Sequence, residues 1–370
     1  MKIFYDHKIF YKQVRGGPSR LFLSLAKNLL QYDCNIKIYV PFYFNEFLNQ
    51  FSKHHSDIVE GKYIKNRIKY SSKIIGLINS FLSKNKIKKE TPDIYHSTYY
   101  GNSLTNLKKI PLVITVHDLI HELLLKNKCI KGLDDKSKII HKADHIICVS
   151  KNTQEDLFKF YNINPIKTSV IYPGVTNIFL DNKIKKTETK SQFIPYLLYV
   201  GSRHGYKNCK NFIKAYAFSE KLKKNFKIVF FGGGIFTNEE KLFFEKLNLN
   251  QNNIFHVDGD DNILKNLYEN AEVLIYPSLY EGFGSVPLEA MMYGCPVICS
   301  KISCLIEVQG NASIKFNPEN IDEITYSLEK ITFSSDIKKE LIQSGYSQFK
   351  KYSWKNCASE TLNVYNSFKM

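Results

Sequence analysis

The chain has 370 residues, of which 44% are hydrophobic and 14% are aromatic. This length suits two domains of about 150–200 residues rather than one. The N-terminal stretch has no uninterrupted apolar run, and no later run approaches the roughly 20 residues that span a bilayer, so we expect neither a signal peptide nor a transmembrane helix. The eight cysteines form no C-x-x-C pair and no His/Cys cluster at ligand spacing, which favours reduced thiols in a cytoplasmic protein.

Positive charge is concentrated in the first half of the chain. Residues 1–180 contain 28 Lys and Arg against 14 Asp and Glu, whereas residues 181–370 contain 24 against 21. The segment 62–89 carries nine basic residues and no acidic one. A surface of this sign attracts nucleic acid, anionic lipid or phosphorylated ligands, and it is equally compatible with a solvated basic face.

The first half alternates strand-like and helix-like runs, which is typical of a parallel sheet covered by helices. A predicted strand at residues 2–5 is followed by a Gly16-Gly17-Pro18 turn and a helix. That helix has an apolar face formed by Leu21, Phe22, Leu25, Ala26 and Leu29. Further strands are predicted at 36–40, 93–96, 112–116, 145–149 and 169–172. Ser150 is the predicted N-cap of a helix over 151–160, and the region 50–90 shows helical fragments without a strong strand.

A polar stretch at residues 181–192 lacks any hydrophobic period and is the predicted linker. A second alternating series follows, with strands predicted at 196–200, 227–231, 253–257, 273–276 and 296–299 and helices at 260–270 and 285–293. The sequence therefore predicts an α/β protein of two doubly wound, Rossmann-like domains, residues 1–180 and 193–352. A terminal helix over 353–370 is expected to return to the first domain. Such domains form a ligand site at the facing carboxyl ends of their sheets, across a cleft.

The strongest local signal is the run EGFGSVPLEA, which begins at Glu281, follows a predicted strand and opens a helix. A glycine-rich turn into a helix N-terminus presents free backbone N–H groups that suit phosphate. Glu281 precedes the helix and Glu289 is expected about two turns into it, so the two carboxylates can reach different parts of one extended ligand. Taken alone, two solvated glutamates are the more frequent explanation of such a pattern.

A second signal is the run YVGSRHGYKN, at the end of the first strand of the second predicted domain. Arg203 and Lys207 lie beside a flexible glycine loop, where two cations can neutralise a diphosphate. Gly16 and Gly17, at the matching position of the first domain, allow the backbone to approach a ligand closely. A loop with solvated charges and a simple turn are the ordinary alternatives.

Together these pieces resemble family 4 of the retaining glycosyltransferases, which have the two-domain GT-B fold. Glu281 and Glu289 match that family's Glu-x7-Glu motif, and YVGSRHGYKN resembles its diphosphate loop. The runs TVHDLIHE, CVSKNTQEDL and VIYPGV have counterparts in the same order. The runs VGSR–YKN and HDLIHE favour the subgroup of bacterial mannosyltransferases that act in O-antigen and capsule assembly. The resemblance covers about residues 1–20 and 92–365 and is weak through 40–90.

The resemblance implies a role for each matching side chain of the second domain. Arg203 and Lys207 hold the donor diphosphate and stabilise the charge that develops on it as it leaves. Glu289 binds the ribose hydroxyls, and Glu281 bonds the hydroxyls of the donor sugar. Arg203 and Lys207 are four residues apart, whereas many members have six, so Lys210 is an alternative to Lys207.

Backbone groups and one histidine complete the implied site. The backbone at Gly284 and Ser285 contacts the phosphate, and His117 faces the donor sugar from the first domain. Gly16 and Gly17 close over the phosphates or the acceptor. Because an isolated histidine is more often structural, the role of His117 depends on the whole set of motifs.

The implied reaction is a front-face displacement through an oxocarbenium-like state, in which the protein contributes mainly electrostatic stabilisation. Because the implied mechanism requires no metal, we expect no metal site and no cofactor other than the nucleotide-sugar co-substrate. The subgroup favours mannose from GDP-mannose, transferred to a glycan or lipid-linked acceptor.

Two alternatives remain open at this point. A nucleotide-sugar epimerase has the same fold but needs further acid/base carboxylates that the sequence does not offer. A nucleic-acid-binding protein is suggested by the net charge of +17, but the basic segment has little aromatic interleaving, so we expect no nucleic-acid partner. Segment 62–89 instead interleaves its charges with apolar residues, which predicts peripheral docking on the anionic inner leaflet of the cytoplasmic membrane. Its alternative is a solvated helix pair whose apolar residues face the domain core.

Overall fold

The computed structural model describes residues 1–65, 71–101, 110–124, 133–175 and 195–369. The chain forms two compact units, Met1–Gly174 with Ser353–Met370 (unit 1) and Val175–Tyr352 (unit 2). The predicted linker at 181–192 lies outside the described residues. Each unit is built around its own parallel sheet with helices, so the predicted α/β class is confirmed.

Unit 1 contains a seven-stranded sheet in its described part, with the order β3-β2-β1-β4-β5-β6-β7. Its strands are β1 (Lys2–Tyr5), β2 (Asn35–Tyr43), β3 (Val59–Tyr63), β4 (Ile94–Ser97), β5 (Leu112–Val116), β6 (His145–Cys148) and β7 (Thr168–Val170). Its helices are α1 (Lys8–Lys12), α2 (Gly17–Leu29), α3 (Glu46–His54), α4 (Ser71–Glu90), α5 (Ile120–Leu124), α6 (Leu133–Lys142) and α7 (Lys151–Phe160). The central strands are almost entirely buried because helices cover both faces of a parallel sheet.

The described residues of unit 2 form a six-stranded parallel sheet with the order β10-β9-β8-β11-β12-β13. Its strands are β8 (Tyr196–Val200), β9 (Lys227–Phe231), β10 (Ile254–Val257), β11 (Val273–Tyr276), β12 (Val297–Ser300) and β13 (Ile314–Phe316). Its helices are α8 (Cys209–Phe218), α9 (Glu220–Asn225), α10 (Asn238–Lys246), α11 (Asp261–Asn270), α12 (Ser285–Met292), α13 (Ser303–Gln309), α14 (Ile321–Thr332) and α15 (Ser335–Phe349). The core of this unit lies between the sheet and these helices.

The last helix, α16 (Trp354–Asn366), belongs to unit 1 and packs against α2. The Tyr365 hydroxyl lies 2.6 Å from Nδ1 of the buried His96, on β4. The chain therefore leaves unit 1 after β7 and returns to it at the end. Within α7, the predicted N-cap is also present, because Ser150 accepts a hydrogen bond from the Thr153 N–H.

The sequence pattern misses β3, β13 and most of α4. Both strands lie at an edge of their sheet and keep partly exposed residues, so neither shows the apolar run of a central strand. For the region 50–90 the sequence predicts helical fragments without a strong strand, and its described residues contain part of α3, the short edge strand β3 and the 20-residue helix α4. The sequence pattern of that helix is hard to interpret because polar residues, Asn79 and Ser83, share its buried side with Ile87.

Candidate active site

The carboxyl ends of β8 and β11 lie side by side in the unit 2 sheet. The strand order reverses direction between these two strands, and ligand crevices form at such switch points. Lys207 follows β8 and Glu281 follows β11. The fold therefore brings together two side chains that are 74 residues apart in sequence.

The loop that carries Lys207 is tied to the segment after β11. Asn208 takes a left-handed backbone conformation with φ of 54°, and its amide donates to the Pro277 carbonyl at 3.1 Å. The Leu279 N–H donates to the Tyr206 carbonyl at 2.7 Å. These bonds connect the loop after β8 to the segment after β11 and thereby fix the position of Lys207.

Lys207 forms a largely buried ion pair. Its Nζ atom lies 2.5 Å from Oε1 of Glu281 and 3.0 Å from the Tyr276 hydroxyl. Burial by itself lowers the pKa of a lysine, but the facing Glu281 carboxylate holds the pKa of Lys207 well above its ordinary value. Burial and the same carboxylate raise the pKa of Tyr276. Lys207 therefore stays cationic, and within the described ranges one of its three N–H groups has no acceptor and is available to a ligand.

The turn between β11 and α12 is held by residues of α13. Gly284 has φ of 78° and is the N-cap of α12, and a Cβ at this position would clash with Leu305. The Gln309 amide donates to the Gly284 carbonyl at 3.1 Å, and the Glu281 N–H donates to the Ser303 hydroxyl at 3.4 Å. Because α12 begins without a side-chain cap, its first N–H groups are suited to an oxygen-rich ligand.

Glu289 is nearer to this turn than the sequence predicts. Helix α12 begins only at Ser285, after the left-handed Gly284, so Glu289 lies little more than one turn from its start rather than two. Its Oε2 atom is 3.5 Å from the Tyr268 hydroxyl of α11. The carboxylate is half-buried, on the same helix whose N-terminus faces the turn.

Arg203 and Lys210 form ion pairs with carboxylates other than Glu281. The Arg203 side chain is 1% exposed and forms an ion pair with Glu240 at 2.6 Å. Lys210 forms an exposed pair with Glu239 at 3.0 Å. Of these three cations, Lys207 is therefore the one in contact with Glu281.

In unit 1, His117 follows the buried strand β5. Its Nε2 atom is buried and has no hydrogen-bond partner within the described part of the chain, and its ring meets Phe22 of α2 edge-on at 6.0 Å. Burial and the nearby Lys136 charge lower the pKa of His117 to about 4, so the imidazole is neutral at pH 7. A buried nitrogen without a partner is costly in a folded protein, which makes His117 a candidate to bond a ligand.

The predicted glycine pair begins α2. Gly16 is the N-cap of this helix in an extended conformation, and Gly17 is its first residue. A Cβ at Gly17 would meet no atom within 4 Å, so packing does not require a glycine there. No side chain caps the helix N-terminus, which leaves N–H groups for a ligand.

The described ranges contain no group of three or more His, Cys, Asp or Glu side chains that could hold a metal ion. Within the same ranges, none of the helices combines the length and the apolar character needed to cross a membrane.

Two family models together match most of the chain. The model described as Glycosyltransferase Family 4 matches residues 15–176, and the model described as Glycosyl transferases group 1 matches residues 181–348. The chain is a family 4 glycosyltransferase. The family inferred from the motifs is thereby confirmed, and neither the epimerase nor the nucleic-acid-binding alternative is favoured.

Individual relatives agree with this family. The glycosyltransferase is 32% identical over 184 residues to the O-antigen chain mannosyltransferase RfbU of Salmonella typhimurium, a match that covers 49% of each chain. It is 28% identical over 290 residues to an uncharacterised glycosyltransferase of Methanocaldococcus jannaschii, with 72% of each chain covered. Its fold is similar to that of Anabaena HepE, crystallised with UDP and glucose, with a TM-score of 0.76 over 99% of each chain at 16% identity. The GT-B fold is thus confirmed.

The structure adds residues that the motifs did not identify. Tyr276 contacts Lys207 from the last position of β11, where the sequence shows only one more apolar strand residue. Gln309 and Ser303 hold the glycine turn from a helix that is remote in sequence. Only the three-dimensional contacts reveal these supporting roles.

Proposed function

We propose that this glycosyltransferase transfers a hexose from a nucleoside diphosphate-sugar to a glycan or lipid-linked acceptor in surface polysaccharide assembly, with retention of the anomeric configuration. The contact between Lys207 and Glu281, at the carboxyl ends of β8 and β11, carries this proposal. A buried ammonium group with an unused N–H, next to a carboxylate, suits a ligand that combines phosphate oxygens with sugar hydroxyls.

The chemistry follows from the charges that develop during transfer. The bond between the sugar C1 and the diphosphate oxygen breaks, and the diphosphate leaves with the electron pair. Lys207 stabilises this departing anion. The acceptor hydroxyl then bonds to C1 on the same face of the sugar, and its proton passes to the diphosphate. Glu281 accepts hydrogen bonds from the sugar hydroxyls, and Glu289 accepts them from the ribose.

Uncharged groups complete the proposed donor contacts. In unit 2, the N–H groups at Gly284 and Ser285 bond the phosphate oxygens. In unit 1, the neutral His117 offers a sugar hydroxyl its Nε2, which has no partner among the described residues, and the uncapped start of α2 at Gly16 and Gly17 offers N–H donors to phosphate or acceptor.

We take GDP-mannose as the donor, a choice supported by the similarity to the O-antigen mannosyltransferase RfbU. The test incubates the enzyme with GDP-mannose, GDP-glucose, UDP-glucose and UDP-galactose and measures the release of the nucleoside diphosphate with and without a lipid-linked glycan acceptor. We expect release from GDP-mannose, stimulated by acceptor, and an α-linked product by NMR. Release from none of the donors contradicts the proposal, and a β-linked mannoside contradicts retention.

Helix α4 of unit 1 bears on where the acceptor is found, because its two sides differ in polarity. Its inward side carries the buried polar residues Asn79 and Ser83 and, near the C-terminal end, the buried Ile87. The Asn79 amide bonds the backbone N–H and carbonyl of Phe42 at 2.9 and 2.8 Å. The Ser83 and Ser80 hydroxyls lie 2.9 and 3.4 Å from the two ring nitrogens of His7. Polar contacts therefore anchor α4 to unit 1.

The outward side of α4 is apolar and then basic. Ile74, Leu77, Ile78 and Phe81 are 64%, 73%, 41% and 67% exposed, at the spacing of one helical face. Toward the C-terminal end, the exposed Lys84 and Lys88 continue this face. The alternative in which the apolar residues of this region face the core is wrong for these four side chains.

We propose that this face docks on an anionic membrane, where the acceptor is carried by lipid. Apolar side chains enter the interface and lysines bind anionic headgroups, with each engaged cation contributing on the order of 1 kcal/mol. The test is flotation with phosphatidylcholine vesicles, with and without phosphatidylglycerol, across a salt series. Binding is expected to require anionic lipid and to fall at least fivefold in Leu77→Ser/Phe81→Ser. The matched control is Ile166→Ser, which removes an apolar residue that is 87% exposed elsewhere in unit 1. Binding indifferent to lipid charge, or equally reduced by the control, contradicts the docking face.

A further inference from the structure

Arg203 is enclosed by the loop that follows β9. Its Nε donates to Glu240 at 2.6 Å, and its Nη1 donates to the Gly232 carbonyl at 3.0 Å. Its Nη2 donates to the carbonyls of Gly234 at 2.9 Å and Ile235 at 3.2 Å. One buried guanidinium therefore donates to three backbone carbonyls of the same loop.

This arrangement also sets the direction of the backbone donors. In a trans peptide the C=O and the following N–H point in opposite directions. Carbonyls that face Arg203 therefore direct the N–H groups of Gly233, Ile235 and Phe236 away from it. In the described part of the chain, none of these three N–H groups donates a hydrogen bond.

The loop conformation depends on its glycines and on their fit to Arg203. Gly232, Gly233 and Gly234 have φ of 77°, 76° and 77°, in the left-handed region that favours glycine. A Cβ at Gly233 would lie 2.9 Å from Nη1 of Arg203, whereas a Cβ at Gly234 would meet nothing within 4 Å. The guanidinium thus packs directly under the middle glycine.

Glu240 fixes the other side of the guanidinium. It is the third residue of α10 and forms a capping box with Thr237, whose N–H donates to Oε2 of Glu240 at 2.8 Å. Burial by itself raises the pKa of Glu240, but the hydrogen bonds from Arg203 and Thr237 lower it to about 2. The pair remains charged at neutral pH and links the start of α10 to the glycine loop.

We propose that Arg203 is a positioning residue rather than a direct diphosphate ligand, and that it presents the N–H groups of Gly233 and Ile235 to the donor diphosphate. Strand β9 is the neighbour of β8 in the sheet, so this loop adjoins the loop that carries Lys207. Outward N–H groups of one loop can together form an anion-binding concavity. The inference rests on the donor site proposed above, and it replaces the role that the resemblance implied for Arg203.

The test measures the dissociation constant of GDP and of guanosine by isothermal titration in a double-mutant cycle. Arg203→Ala and Glu240→Gln are each expected to weaken GDP binding about 10- to 30-fold without changing guanosine binding, and the double variant is expected to lose no more than either single variant. A direct ligand behaves differently, because Glu240→Gln then frees Arg203 and leaves GDP affinity intact or higher. Lys210→Ala/Glu239→Gln removes the neighbouring exposed pair between α8 and α10 and is the control.

Glycine variants keep the inference testable if the loss of Arg203 impairs folding. Gly233→Ala places a methyl group against Nη1, and Gly234→Ala imposes similar backbone strain in open space. A loss of GDP affinity at least fivefold greater for Gly233→Ala, in variants with wild-type circular dichroism, supports the inference. Equal losses, or additive losses in the cycle, overturn it while leaving GDP binding by the wild type intact. If the wild type binds no nucleoside diphosphate, the proposed function itself fails and the inference fails with it.

Discussion

Each unit has a buried ion pair whose lysine follows the first strand of its sheet, Lys8 after β1 and Lys207 after β8. The two pairs differ in the number of hydrogen bonds that their charged groups make. In unit 1, Nζ of Lys8 lies 3.3 Å from Asp6, 3.0 Å from the Ser97 hydroxyl and 3.0 Å from the Gly101 carbonyl. Asp6 also accepts from the N–H and hydroxyl of Thr98. Both side chains of the pair are at most 3% exposed.

In unit 2, Lys207 has two hydrogen-bond partners among the residues that the structure describes, Glu281 and Tyr276. The two side chains of the pair are 18% and 12% exposed. A saturated pair such as Lys8–Asp6 stabilises the unit that contains it, because removal of one partner leaves a buried charge. A pair with an unused donor and some exposure can exchange partners when a ligand binds. The difference separates structural charges from charges available for catalysis.

The largest effect on stability is expected from the saturated pair. Lys8→Met leaves Asp6 buried without its cation and should lower the free energy of unfolding by about 3–5 kcal/mol. Urea unfolding followed by the fluorescence of Trp354, the single tryptophan of the chain, reports on unit 1. The control is Lys53→Met, at an exposed lysine of α3. If Lys8→Met and Lys53→Met have the same free energy of unfolding, the Lys8–Asp6 pair does not stabilise unit 1. The distinction between this pair and Lys207–Glu281 then fails.

For the unsaturated pair the loss should appear in turnover. Lys207→Ala removes a preorganised charge from the leaving group and is expected to lower kcat by about 10²–10³, with a small change in the midpoint of thermal unfolding. Lys210→Ala is the matched control, because this lysine pairs with Glu239 at the surface. If Lys207→Ala keeps the wild-type kcat and Lys210→Ala lowers it, the diphosphate is bound by Lys210 and not by Lys207.

Acid should weaken unit 1 through its buried histidines. Burial lowers the pKa of His7 to about 4, that of His96 to about 3 and that of His117 to about 4. Because the folded state favours the neutral form, this stability is present above the unfolded pKa of about 6.5 and is lost as the pH falls toward 4. Each histidine should cost about 2 kcal/mol at pH 5 relative to pH 7.

Urea unfolding of Trp354 at pH 7, 6 and 5 measures this acid effect. His96→Gln should reduce the difference between pH 7 and pH 5 by about 2 kcal/mol. A pH dependence that is unchanged in this variant would show that other groups dominate the acid response.

The two glutamates of the donor site are expected to give smaller and separable effects. Glu281→Gln should lower kcat about tenfold with little change in nucleotide affinity, whereas Glu289→Ala should weaken the binding of the nucleoside diphosphate about tenfold, as expected for losing one charge-assisted contact. Steady-state kinetics and titration with GDP distinguish the two. Identical profiles, or normal kinetics in both variants, contradict the assigned roles.

The sequence predicts the frame of unit 2 well because its signals are local. Strands β8, β9 and β11 have the predicted bounds, and the turn at Gly284 follows directly from a glycine between a strand and a helix. What the sequence leaves out depends on distant contacts. The sequence predicts Arg203 as a cation in a loop, but its guanidinium forms an ion pair with Glu240, 37 residues away.

Unit 1 is less predictable at α4 for a different reason. Helical periodicity identifies a face but not its direction, and the expectation that apolar residues face inward fails where Asn79 and Ser83 make the inner contacts. Edge strand β3 is likewise missed in the sequence, because its polar residues do not form the apolar run of a central strand. The sequence therefore predicts elements and local turns, while the partners of buried polar groups come from the tertiary structure.

The central claim, that the Lys207–Glu281 pair is the donor site of a sugar transferase, is tested most directly by thermal unfolding with a panel of ligands. GDP, GDP-mannose, UDP, UDP-glucose and AMP are added to the wild type, Lys207→Ala and Lys210→Ala. A ligand at 100 times its Kd stabilises the folded state by about 2.7 kcal/mol. We expect GDP and GDP-mannose to raise the unfolding midpoint of the wild type and of Lys210→Ala but not of Lys207→Ala. A panel in which no nucleoside diphosphate raises the midpoint, or in which Lys207→Ala responds like the wild type, contradicts the claim.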